Sequence, residues 1–82
     1  MPTVLRLGGL RVVIYPNDHS PLHVHVIGPT NEAVFQLNCL AGPPTLRESM
    51  GFKVAELNRL EGALAAEMGR LCSEWERIHG HY

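Results

Sequence analysis

The chain has 82 residues, enough for one small domain and too few for a second hydrophobic core. Its formal net charge is −1 with the histidines neutral, which excludes the basic footprint on which electrostatic nucleic-acid binding rests. No apolar run approaches the ~18 residues that cross a bilayer, and the first residues lack the regions of a secretory signal. A cytoplasmic protein with no membrane contact is therefore expected. Cys39 and Cys72 form no CxxC pair, and in that compartment they are expected as free thiols.

Residues 3–7 predict a first strand, with Val4, Leu5 and Leu7 apolar around Arg6. Gly8-Gly9 is a hairpin signal. Residues 10–15 resume as a second strand. Val12, Val13 and Ile14 are apolar without alternation, which predicts cover on both faces. Pro16-Asn17-Asp18 ends that strand, and Pro21 delays the next.

Residues 23–27, His23-Val24-His25-Val26-Ile27, predict a third strand. Side chains two apart share a face, so His23 and His25 are expected on one side with Val24 and Val26 on the other. His19 precedes them in a turn that can fold back. Three readings of His19, His23 and His25 stand side by side. Three imidazole nitrogens can hold a zinc ion and leave one position open, with Asp18, Glu32, His79 or His81 orienting or completing the set. The same rings can act as general acid and base in phosphodiester cleavage. As structure alone, they line the wet face of a sheet.

The Gly28-Pro29-Thr30-Asn31 turn leads to a fourth strand at residues 32–37. Ala33, Phe35 and Leu37 fall on one face, and Glu32, Val34 and Gln36 on a wetter one. Residues 38–52 predict an irregular connection broken by Gly42-Pro43-Pro44, with a short helical turn over residues 46–50 ending at Gly51. From residue 53 the period changes. Val54, Leu57, Leu60, Leu64, Met68, Leu71, Trp75 and Ile78 make one helical stripe over residues 53–79.

Such a helix is about 40 Å long, while a domain of this size has a radius of gyration of about 12 Å. The distal stripe therefore needs either a second subunit or a break near Gly69. A homodimer through the distal helix is the simpler expectation. Arg6, Arg11 and Tyr15 lie on strands of the same sheet and are candidate binding residues for an anion. The predicted fold is α+β: a small, mostly antiparallel sheet of about four strands with one long C-terminal helix, forming a single domain over residues 1–82.

Several stretches together resemble one family. They are Met1-Pro2-Thr3-Val4-Leu5-Arg6, Gly8-Gly9, a strand ending in Tyr15, and the run from Asn17 to Val26 containing His19, Pro21, His23 and His25. Glu32-Ala33, Phe35, Leu37, Gly51-Phe52 and a helix closing with Trp75 follow. The pattern resembles the small bacterial proteins of the DUF4160 family. Leu22, Val34, Gln36 and Lys53 depart from it; a serine at 53 would cap the helix against Glu56.

Members of that family often appear beside DUF2442 proteins, and the resemblance implies one half of a toxin–antitoxin or regulatory pair. The leading expectation is thus a protein-interaction module. The alternative is a small nuclease or metal-dependent hydrolase using His19, His23 and His25, with RNA as substrate. The His23–Val26 run also resembles the histidine-triad nucleotide hydrolases, but Ile27 stands where a third alternating histidine would complete that signature.

Overall fold

The structure is a computed structural model that describes residues 3–19, 21–39 and 42–80. Among them are five strands and two helices: β1 (Thr3–Leu7), β2 (Leu10–Val13), β3 (His23–Ile27), β4 (Glu32–Gln36), β5 (Thr45–Met50), α1 (Val54–Ala66) and α2 (Met68–His79). The architecture is α+β. The strands pair antiparallel in chain order, β1-β2-β3-β4-β5.

The β1–β2 hairpin closes with Leu7 opposite Leu10. Gly8 supplies the positive φ of 61° that this two-residue turn requires. Cross-strand partners point the same way, so the register sorts the sheet into two faces. One face carries Val12, Val24, Val26, Ala33 and Phe35. These pack with Leu60, Leu64, Met68, Leu71 and Trp75 of the helices in one core. The other carries Arg6, Arg11, Val13, His25, Ile27, Glu32 and Val34. Val12 and Val13 are both fully buried, as the unbroken apolar run predicts.

The structure has one strand more than the sequence predicts. Residues 45–50 extend along β4, with Glu32 opposite Met50 and Gln36 opposite Thr45, instead of forming a helical turn. Two local features favour this. The Asn38 amide donates to the Pro43 carbonyl at 2.7 Å and to Thr45 Oγ1 at 2.9 Å, which returns the chain to the sheet edge. Gly51 has φ 82° and turns the chain from β5 into α1 rather than ending a helix.

The long helix is two helices. Glu67 interrupts them at φ −109°, ψ 16°, two residues before the Gly69 break that the sequence offers. The stripe runs across the interruption in phase. Leu64 and Leu71 are fully buried and Trp75 is 1% exposed, all covered within this chain, so the need for a second subunit to cover the distal helix disappears. The radius of gyration is 11.7 Å.

At the start of α1, the Lys53 N–H donates to Glu56 Oε1 at 2.8 Å. This is half of a capping box. Lysine cannot accept the return bond that serine would.

Cys39 and Cys72 form a disulfide with Cα atoms 5.8 Å apart, which corrects the expectation of free thiols. The bond joins the segment after β4 to α2. Among the described residues, no helix is long and apolar enough to cross a membrane.

Candidate functional site

The turn after β2 is closed by reciprocal bonds. The Asp18 N–H donates to the Tyr15 carbonyl at 3.0 Å, and the Tyr15 N–H donates to Asp18 Oδ2 at 3.1 Å. This lock turns the Asp18 carboxylate towards β3. His23 and His25 leave β3 on a shared side, with ring centroids 5.2 Å apart, while Val24 and Val26 are fully buried.

Asp18 Oδ2 lies 3.4 Å from His23 Nε2 and 3.3 Å from His25 Nε2. The three side chains are only 12–16% exposed. One ligand atom from each lies within 4.8 Å of the others. The cluster that the fold brings together is therefore Asp18, His23 and His25. His19, the third histidine of the predicted set, is exposed and stands outside this group. Asp18, named in the sequence only as a supporting residue, takes its place. Sequence spacing could not separate the two neighbours, because the Tyr15–Asp18 hydrogen bonds decide which of them faces the rings.

Partners fix the imidazoles. His23 Nδ1–H donates to the Pro21 carbonyl at 2.8 Å, which in the neutral ring leaves Nε2 as a lone-pair nitrogen towards Asp18. His25 Nδ1 is 3.6 Å from Glu32 Oε2, too far for a hydrogen bond. Both His25 ring nitrogens are buried without a hydrogen-bond partner. The Tyr15 ring meets His25 edge-on at 4.8 Å. On the helix side, Trp75 lies 5.4 Å from His23 and stacks on His79 at 4.0 Å. His79 therefore packs on the core tryptophan instead of completing the cluster, and His81 falls outside the described residues. Trp75 is the contact that sequence reasoning missed: its place on the apolar stripe predicted burial, and nothing in the spacing predicted an imidazole beside it.

Of the candidate binding residues, Tyr15 reaches the site. Arg6 and Arg11 sit directly opposite each other on β1 and β2. They share the histidine face, since Arg11 pairs with Ile27 and Val13 with His25. Like charges in that relation repel. A groove of about 440 Å³ lies elsewhere, lined by Leu7, Leu10, Phe52, Leu60 and Ala63 among others, and includes none of these histidines.

Fold and site define a small α+β domain with an aspartate–dihistidine cluster on the central strand of an antiparallel meander and the turn before it. The chain belongs to the family described as Domain of unknown function (DUF4160), whose model matches residues 9–76. Among curated proteins and among solved structures, nothing matches it.

Proposed function

We propose that the chain is a protein-interaction module, one component of a toxin–antitoxin or regulatory pair, and that its partner docks as an extended strand on the outer edge of β5. One observation carries this reading: β5 ends the sheet order, and all six of its residues are exposed. A strand edge of this kind offers unpaired N–H and C=O groups to an incoming strand. Met50 at its end and Val54 just beyond it are 73% and 74% exposed and would give the added strand apolar contacts. A DUF2442 protein is the partner to test first, because family members often appear beside one.

Co-expression with a DUF2442 protein, followed by size-exclusion chromatography, tests the reading. A single co-eluting complex is expected, lost on Leu46→Asp/Met50→Asp and kept on His23→Gln/His25→Gln. Absence of a complex, a homodimer alone, or a complex indifferent to the β5 changes would refute it.

A second reading, a small histidine-based hydrolase or nuclease, is favoured by the convergence of Asp18, His23 and His25. Cleavage of RNA that disappears in Asp18→Asn would support it. Failure of the purified chain to cleave RNA would remove it.

A further inference from the structure

We propose that Asp18, His23 and His25 form a site for a first-row divalent cation, zinc above all, bound through Asp18 Oδ2 and the Nε2 atoms of the two rings. The site does not depend on the partner-docking reading, and it requires no catalysis.

The first ground is an imbalance of donors and acceptors. In a neutral His23 ring the proton is committed to the Pro21 carbonyl, so the Nε2 lone pair faces the Asp18 carboxylate across 3.4 Å. In that neutral form neither atom can donate to the other. His25 has carboxylates at both nitrogens, Asp18 at 3.3 Å and Glu32 at 3.6 Å. Whichever nitrogen carries the proton of a neutral ring, the other aims a lone pair at negative charge. Both nitrogens are buried without a hydrogen-bond partner. A cation placed among the three ligand atoms satisfies them all at once.

The second ground is size. With metal–ligand bonds of about 2.0–2.1 Å, the edge of a tetrahedral site is about 3.3–3.4 Å. The two carboxylate–imidazole separations are 3.4 and 3.3 Å. A small inward movement of the rings, whose ligand atoms lie within 4.8 Å of each other, would complete the third edge.

The third ground is the support behind the ligands. Ligating histidines usually donate the remote N–H to a carbonyl or carboxylate. His23 does so with Pro21, and Glu32 Oε2 stands behind His25 Nδ1. Asp18 is held by the Tyr15 N–H. Two imidazoles and one carboxylate suit zinc and its first-row neighbours, and three protein ligands leave a fourth position for water or a partner's side chain.

The test is a titration of the metal-free full chain with Zn²⁺ by calorimetry, and with Co²⁺ by visible absorption. Trp75, the single tryptophan, serves as a nearby fluorescent reporter. The expected result is saturation at one ion per chain, strong four-coordinate Co²⁺ bands and quenching of Trp75 by Co²⁺. Asp18→Asn, His23→Gln and His25→Gln should each weaken Zn²⁺ by more than the roughly 10–100-fold typical of losing an outer partner, with circular dichroism unchanged. His19→Ala should leave binding as it is. No saturable Zn²⁺ binding by the unaltered chain would overturn the proposal. So would equal binding by His23→Gln/His25→Gln, or a loss on His19→Ala as large as on His23→Gln. Since the unaltered chain decides the first outcome, a variant that fails to fold leaves the test intact. Metal binding without RNA cleavage would sustain this site and remove only the hydrolase reading.

Discussion

Reducing the Cys39–Cys72 bond should cost this domain a large part of its stability. The bond closes a loop spanning a sequence separation of 33. Loop-closure entropy for that length is roughly 12.5 cal/mol/K, or about 3.7 kcal/mol at 25 °C. Folded domains commonly have only ~5–15 kcal/mol in total, and small ones lie low in that range. A chain of 82 residues unfolds with an entropy of about 0.17 kcal/mol/K, so the loss converts to a fall in Tm of roughly 20 °C. The assay is thermal unfolding by far-UV circular dichroism with and without a phosphine reductant, the bond being verified by peptide mapping. Cys39→Ser/Cys72→Ser should unfold at the temperature of the reduced protein and ignore the reductant. A fall of less than about 5 °C in protein whose bond is mapped would refute the loop-entropy reasoning. It would mean that the unfolded chain already holds these segments close together.

Four further outcomes are expected. Leu64→Ala empties a fully buried core position and should destabilise by about 2–5 kcal/mol in urea unfolding; a loss under about 1 kcal/mol would show that α1 does not carry the core. Gly51→Ala places a Cβ 2.8 Å from the Thr30 carbonyl at a φ of +82° and should cost about 1–3 kcal/mol, whereas Gly62→Ala, with open space around it, should stabilise by up to ~1 kcal/mol. Arg6→Glu replaces the like-charge pair with Arg11 by an attractive one and should raise Tm by a few degrees, for about 0.2–1 kcal/mol; an unchanged Tm would mean that the two side chains already splay apart.

Most of the sheet was legible because its strands are written in apolar alternation or, at residues 12–14, an unbroken apolar run, and punctuated by Gly8-Gly9, Pro16 and Gly28-Pro29. β5 was not. Thr45-Leu46-Arg47-Glu48-Ser49-Met50 buries no side chain, so hydrophobic pattern carries no trace of it; the strand exists through backbone pairing with β4. The break at Glu67 was hidden for the opposite reason. Leu64, Met68 and Leu71 keep helical spacing across it, and the pattern reports which face is buried without reporting whether the backbone is continuous. Half of the site was legible, since a strand's period of two puts His23 and His25 together. The other half, Asp18 in preference to His19, depends on turn hydrogen bonds that no periodicity encodes. The disulfide depends on where α2 lands, a tertiary fact spread over a separation of 33 residues.

Strand β3 lies in the middle of the meander, hydrogen-bonded to β2 on one side and β4 on the other. Amide exchange should therefore be slowest along Val24 and Val26 and fastest along β5, where one flank has no neighbour. The imidazoles thus project from the stiffest segment of the molecule, and the docking edge from one of its loosest. An incoming strand can be accommodated at the periphery while the spacing of the two rings stays constant.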